Sequence, residues 1–364
     1  MTRSIEELPT PAVLVDLDVL ERNIARQASR AREAGVKLRP HAKTHKCPEI
    51  ARMQLAAGAA GISLAKTSEA EAFAGAGFED IFVAYPVVGL GKAERLLALS
   101  DRLRLAVGTD SVEGATRLSE VFSAAGRKLD VLIKVDCGYH RVGIDPEKAV
   151  RFAARIADLP GIRLRGIFTH AGHVYSAESI EAVAAIGRQE GEILVAAAAE
   201  LREMDFAIEE VSVGSTPSAR YSMRVAGVTE CRPGNYVFHD GSQAALGTCA
   251  PEDCAMTILA TVVSVPAPGR AVVDAGSKTL SQDPLKPWPG GNGLILGTKT
   301  RLVSLTEEHG VARVAEGDRF RVGERVKILP NHACVVSNLH DRLYGVRADR
   351  VETVFEIAAR GRIE

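Results

Sequence analysis

The chain has 364 residues, 46% of them apolar, with 33 Gly and 16 Pro, enough to bury a large core and to suggest two domains. Lys plus Arg number 45 against 46 Asp plus Glu, a formal net charge of −1, which offers no basic field to a polyanion, so nucleic-acid binding is not expected. No apolar run reaches the roughly 18 residues of a membrane span, MTRSIEELPTP lacks a signal-peptide pattern, and six singly scattered cysteines are no disulfide framework, so a cytoplasmic protein is expected.

From the amino terminus, 12–15 is a short apolar run that precedes the first helix and could add a strand to either domain. Predicted strands then follow at 36–40, 61–65, 81–84, 104–107, 131–135, 163–169 and 210–213, with amphipathic stretches at 17–34, 48–57, 67–76, 111–124, 146–158 and 177–204. Seven or more β-then-α units in a row predict a parallel sheet covered by helices. An open doubly wound sheet usually stops at five or six, whereas eight fit a closed (β/α)8 TIM-type barrel with its site at the carboxyl ends of the strands. After about residue 245 the texture changes. Short β-branched runs at 256–265, 271–274, 300–304, 311–314 and 325–328, separated by PAPGR and PWPGGNG, predict a smaller, mostly antiparallel β-domain. The expected division is a barrel at 16–245 and a β-domain at 1–15 plus 246–364.

The densest polar cluster, Arg39-Pro40-His41-Ala42-Lys43-Thr44-His45-Lys46, directly follows a predicted strand. A lysine at such a strand end, crowded by like charges and partly desolvated, has a depressed pKa, as a Schiff-base lysine requires. The bland alternative is a solvated basic loop. Near the other end stand Pro330-Asn331-His332-Ala333-Cys334 and Asn338-Leu339-His340-Asp341. In an extended segment His332 and Cys334 would point the same way and could share a divalent metal, although a buried Cys beside a hydrogen-bonded His is commoner. The turn Gly214-Ser215-Thr216-Pro217-Ser218 and the stretch Arg232-Pro233-Gly234-Asn235-Tyr236 offer small residues and hydroxyls to a phosphate. Asp136-Cys137-Gly138-Tyr139-His140-Arg141 and Thr169-His170-Ala171-Gly172-His173-Val174-Tyr175 follow two further strands.

Together TPAVLVDLDVLERNI, RPHAKTHKCPEIARMQL, GSTPS, RPGNYVF, DAGSK and PNHAC with NLHD resemble the D-threonine aldolase and D-serine dehydratase group, from about residue 8 to residue 360. That group consists of pyridoxal 5′-phosphate (PLP) enzymes with an alanine-racemase-type barrel and a following β-domain. The resemblance implies that Lys43 holds the cofactor as an imine, with Lys46 its rival, and that Arg141 lies near the cofactor's phenolic oxygen. It implies a 5′-phosphate cradle of Ser215, Thr216 and the backbone at Gly234, Asn235 and Tyr236. It also implies a divalent ion (Mn²⁺, Zn²⁺ or Mg²⁺) on His332 and Cys334, with His170 and Tyr175 lining the pocket. The substrate would be a small D-configured β-hydroxy-α-amino acid, and the protein a homodimer.

Two reactions share these parts. Retro-aldol cleavage, narrowly favoured by HAKTHKCPEIARMQLAAGA and AKTSEAE, gives glycine plus an aldehyde. The alternative is D-serine or D-threo-3-hydroxyaspartate dehydration to a keto acid and ammonia. It is supported by GSTPS, by the stretch 169–173, and by Cys334, where aldolases of the group typically carry Asp. An amino-acid racemase would need a second base such as Tyr344 and no metal. A non-catalytic PLP carrier would leave residues 250–364 without a task.

Overall fold

Each short apolar run of the first two-thirds is flanked by a helix that can cover it, so the runs pair in parallel rather than as hairpins. In the computed structural model, which describes residues 3–283 and 291–364, the strands lie in one row. The order is Lys37–Leu38, Glu230–Cys231, Glu210–Val213, Ile162–Phe168, Leu129–Lys134, Arg104–Thr109, Asp80–Pro86 and Ile62–Leu64. The two ends of the row meet, because Ala60 N donates to Leu38 O and Ser63 N to Pro40 O, each at 2.8 Å, and His41 bridges Ser63. The sheet is therefore the expected eight-stranded barrel. Its eighth strand, Glu230–Cys231, is only two residues long and was missed from the sequence because no alternation fits so few positions.

Helix starts follow local chemistry. Asp16 Oδ1 accepts Val19 N at 3.0 Å ahead of Leu17–Glu33, and Ser179 Oγ accepts Ala182 N at 3.2 Å ahead of the 24-residue helix Ile180–Glu203. Inside the barrel Phe82, Ala106, Leu132 and Phe168 form one apolar layer, with Phe82 and Phe168 edge-on at 5.0 Å. Beside that layer, toward the strand starts, Arg39 Nε meets Glu230 Oε2 at 2.6 Å and Nη1 meets Asp80 Oδ1 at 2.5 Å, while Arg165 pairs with Glu210 at 3.1 Å. Arg39 is thus committed to plugging the barrel and does not crowd Lys43.

The β-domain also closes on itself. Met256–Ala267 pairs with both Arg270–Val273 and Arg325–Pro330, and Gly310–Arg313, Arg301–Leu305 and Gly293–Ile295 complete a six-stranded antiparallel ring. The run Ala12–Asp16 joins this domain, antiparallel to Met256–Ala267 and parallel to Arg342–Arg347. Of the Gly/Pro cluster PWPGGNG, residues 287–290 lie outside the described residues. The two domains share a core in which Tyr236, Val237 and Phe238 of the barrel pack with Met256, Ile258 and Val336.

Candidate active site

The strand Lys37–Leu38 runs into Pro40, which cannot donate to a ladder, and the chain turns through a single 3-10 turn, Ala42–Thr44. His41 N donates to Pro233 O at 3.0 Å, which ties this turn to the RPGNY stretch. Close packing leaves no room for a side chain at Gly234, where a Cβ would stand 2.7 Å from Thr44 Oγ1 and 2.8 Å from His41 O. Lys43 therefore projects from a turn clamped between two loops.

It faces a cavity of about 840 Å³ at the carboxyl end of the barrel, large enough for a cofactor and a small substrate. Of the residues expected at the site, Lys43, Arg141, His170, Tyr175, Ser215, Thr216, Gly234, Asn235, His332 and Cys334 all line it. Tyr236 does not: its ring is buried in the interdomain core and its hydroxyl receives Gln54 Nε2 at 2.9 Å. Lys46 turns away with φ 53° and gives its ammonium to Asn338 Oδ1 at 2.8 Å and to buried Glu69 at 3.4 Å. Asn338 is thereby occupied, His340 binds Thr279 O at 3.1 Å, and Tyr344 packs with the Ile5 and Leu14 cluster.

Burial lowers the pKa of Lys43, and Arg141 and Arg232 add to the effect against the opposing pull of Cys334 and Glu69. The crowding cations come from other strands, not from Arg39 and Lys46 as the sequence suggested. Burial and then Lys43 hold His41 and His170 well below the usual imidazole range, so both are neutral. His170 Nδ1 donates to Gly214 O at 2.7 Å, which orients its ring beside the phosphate-type turn. Burial pushes the Tyr175 hydroxyl up, and Gln243 Nε2 donates to it at 3.4 Å.

His332 and Cys334 share one wall for a reason other than the expected one. His332 is extended (φ −143°, ψ 100°), but it caps a helix, Ala333–Leu339, so Cys334 lies on a first helical turn rather than two steps along a strand. Burial opposes charge on both groups, yet their mutual attraction raises His332 to about 10 and lowers Cys334. His332 Nδ1 donates to Asp283 Oδ2 at 2.5 Å, and Cys334 Sγ lies 3.4 Å from Thr44 Oγ1, next to Lys43. A His–Cys pair with a carboxylate on the far imidazole nitrogen suits a divalent ion with open positions. Among the described residues, no group of three or more His, Cys, Asp or Glu side chains is arranged to hold a metal.

Three buried polar atoms at the cavity, Thr216 Oγ1, Asn235 Oδ1 and His41 Nδ1, have no partner among the described residues. A polar ligand would satisfy them, and with the close approach at Gly234 they fit PLP.

Four residues of this site escaped the sequence reading. Lys134, at the end of Leu129–Lys134, points into the cavity 4.7 Å over the Phe168 ring, and burial lowers its pKa to about 7. Arg232 stacks over the same ring at 5.2 Å and donates to Thr169 O and Ser212 Oγ. Glu190, deep on Ile180–Glu203, accepts Ala171 N and Gly214 N, each at 3.1 Å, and Ser218 Oγ at 2.6 Å. Asp240 lines the cavity and bonds Asn235 Nδ2 and Ala333 N, joining the two domains. A charged residue closing an apolar strand was a usable signal for Lys134, and the RPGNY stretch contains Arg232; nothing local marks Glu190.

Comparison with known proteins agrees with this geometry. Residues 15–241 match the family model for the alanine racemase N-terminal domain, and 255–346 match the serine dehydratase domain. The chain is 36% identical to a D-threonine aldolase of Arthrobacter, over 98% of this chain and 94% of that one. It is 37% identical to the D-threo-3-hydroxyaspartate dehydratase of Delftia, over 96% and 97%. Among solved structures, D-threonine aldolase from Filomicrobium marinum superposes with a TM-score of 0.90 at 34% identity, covering 98% of this chain and 97% of its own. No helix among the described residues is long and apolar enough to cross a membrane.

Proposed function

The chain belongs to the family of D-threonine aldolases and D-serine dehydratases on the alanine-racemase fold, a family of PLP-dependent lyases acting on D-amino acids, and from that premise we propose that it cleaves a D-configured β-hydroxy-α-amino acid with a divalent ion at His332 and Cys334. The observation that carries the reading is the contact between Cys334 Sγ and Thr44 Oγ1 at 3.4 Å, which brings the metal-type pair to the turn that presents Lys43. Lys43 is the residue that would hold PLP. Thr216, Ser215 and the open backbone at Gly234 would take its phosphate, with Arg141 at the ring. When bound, PLP supplies an electron sink for bonds broken at the substrate's α-carbon. A divalent ion on His332 and Cys334 would polarise the β-hydroxyl.

The chain's own groups then account for proton traffic. Burial keeps a share of Lys43 neutral, so its amine would be the nucleophile that holds PLP and would take or return a proton at the substrate's α-carbon. His41 and His170 stay neutral beside it, so they do not compete as cations for the substrate carboxylate. The first reading is retro-aldol cleavage: the β-hydroxyl loses its proton, the Cα–Cβ bond breaks, and glycine and an aldehyde leave. The second is β-elimination, in which the α-proton and then the hydroxyl depart, and the product hydrolyses to a keto acid and ammonia. The presence of Cys334 at this position, rather than its donor strength, supports the second reading, and one solved relative is a cysteine-to-alanine mutant of a D-threo-3-hydroxyaspartate dehydratase in the metal-free form.

Protein reconstituted with PLP and Mn²⁺ or Zn²⁺ is expected to release glycine and acetaldehyde from D-threonine, and to lose that activity in EDTA. Ammonia without glycine from D-threonine or D-serine would replace the first reading with the second.

A further inference from the structure

The run Asn338-Leu339-His340-Asp341 closes the helix Ala333–Leu339, which carries Cys334. Cys334 and Asn338 are four residues apart and so share one face of that helix. From that face both touch the lysine loop. Cys334 Sγ lies 3.4 Å from Thr44 Oγ1, and Asn338 Oδ1 accepts Lys46 Nζ at 2.8 Å. One contact alone would let the helix pivot; two, a helical turn apart, fix its direction against the turn that presents Lys43. Lys46 is held at both ends, since its N donates to Ala42 O at 2.7 Å and its ammonium also meets buried Glu69 at 3.4 Å. The segment 359–362 joins the same corner. Gly361 N donates to the same Asn338 oxygen at 3.2 Å, Ala359 N to Lys46 O at 3.1 Å, and Lys46 Nζ to Arg362 O at 3.3 Å. Asn338 does not line the cavity, so any effect it has on the reaction passes through other residues.

We propose that Asn338 is a positioning residue: its side-chain oxygen, bonded to Lys46, keeps the Cys334 side of the site in register with Lys43. The proposal rests on the reading that His332 and Cys334 hold a divalent ion serving the same reaction as Lys43. Lys43 belongs to the barrel and Cys334 to the β-domain, so the backbone of neither domain alone sets their spacing. The bond from Lys46 to Asn338 crosses that boundary, and a charged donor makes it stronger than a bond between neutral groups. Register matters because a misplacement of about 1 Å at a reacting centre can cost about a hundredfold in rate. Lys43 projects from its turn whether or not the helix pivots, so loss of the Asn338 oxygen should spare cofactor attachment and weaken the metal-assisted step.

The test sets Asn338→Leu and Asn338→Ala, which accept no hydrogen bond, against Asn338→Asp, which keeps an oxygen for Lys46 and Gly361. The full chains are loaded with PLP. Zn²⁺ affinity is measured by titration calorimetry, turnover of D-threonine as glycine plus ammonia, and backbone exchange of peptides covering 41–47 and 333–339 by hydrogen–deuterium mass spectrometry. In Asn338→Leu and Asn338→Ala the absorbance of bound PLP is expected to persist. Their kcat should fall about tenfold or more with little change in KM, and Zn²⁺ binding should weaken by about the same factor. Exchange should quicken in both peptides. Asn338→Asp is expected to restore all three. Unchanged kcat and Zn²⁺ affinity without the oxygen, or an Asn338→Asp as impaired as Asn338→Leu, would overturn the proposal. Failure of the unsubstituted protein to bind Zn²⁺ would instead overturn the functional reading. Unchanged exchange in both peptides would overturn the link between helix and lysine loop whether or not metal binds.

Discussion

Lys43 and Lys46 stand three residues apart in one loop and do opposite work. Lys46 gives its charge to Glu69, a carboxylate 1% exposed, and to Asn338 in the β-domain. Lys46→Ala strands a buried carboxylate, so it is expected to lower stability by about 3 kcal/mol, near the low end for breaking a buried pair, while leaving the imine in place. Lys43 has no carboxylate within ion-pair reach among the described residues, and its burial disfavours its own charge. Lys43→Ala is therefore expected to keep or slightly raise the melting temperature, yet to abolish turnover and the imine absorbance at ~420 nm that this cofactor's chemistry provides. The paired readouts, melting and absorbance, should separate the two variants cleanly. A colourless Lys46→Ala with a coloured Lys43→Ala would reverse the assignment.

At the scale of elements, the site is held by contacts between segments far apart in sequence. Glu190, on the long helix Ile180–Glu203, accepts one N–H from the loop of His170 and another from the turn before Ser215. Glu190→Ala leaves two buried N–H groups unsatisfied, at about 1–3 kcal/mol each. It is expected to shift the urea midpoint down and to weaken PLP binding by more than tenfold, read by fluorescence titration. Gly234→Ala acts on the same cradle from the other side, because its methyl would press on Thr44 and His41. The expected outcome is a folded protein with poor cofactor occupancy, measured as the ratio of imine to protein absorbance.

These cases show which features could be read in the chain and which could not. The long barrel strands, the lysine turn and the His332–Cys334 pair carry their signal in a few adjacent residues. Glu230–Cys231 is too short for a pattern, and Cys334 sits on a helical turn that its neighbours do not announce. Glu190 is a polar position inside a helix, identical in sequence to a solvated one until the strands Ile162–Phe168 and Glu210–Val213 pair and bring both loops to it. The same pairing logic makes Lys134 and Arg232 neighbours on Phe168, although almost a hundred residues separate them.

Taken over the whole molecule, the cavity gathers basic groups that the fold desolvates. Lys43, Lys134, His41, His170 and nearby His45 all have lowered pKa values, with Lys134 at about 7 and His45 at about 4. A base whose folded pKa lies below its unfolded value binds fewer protons when folded, so stability rises with pH between the two values. For His45 that window runs from about 4 up to 6.5, for His41 and His170 it reaches up to 6.5 from further below, and for Lys134 it runs from about 7 up to 10.5. These groups are therefore expected to add stability to the cofactor-free protein as pH rises from 5 toward 9.5, opposed above 6.5 by His332, whose raised pKa has the opposite sign, and urea midpoints at constant ionic strength follow the balance. Lys134→Met removes one of these groups and should stabilise the cofactor-free protein by about 2–4 kcal/mol at pH 7, with the advantage shrinking toward pH 10. Binding PLP introduces a phosphate anion among the same cations, which raises their pKa values again. The slope between pH 7 and 9.5 should consequently flatten in the loaded enzyme. A steeper slope with cofactor, or a Lys134→Met advantage that grows with pH, would show that desolvation of these amines is not what sets the pH dependence of this fold.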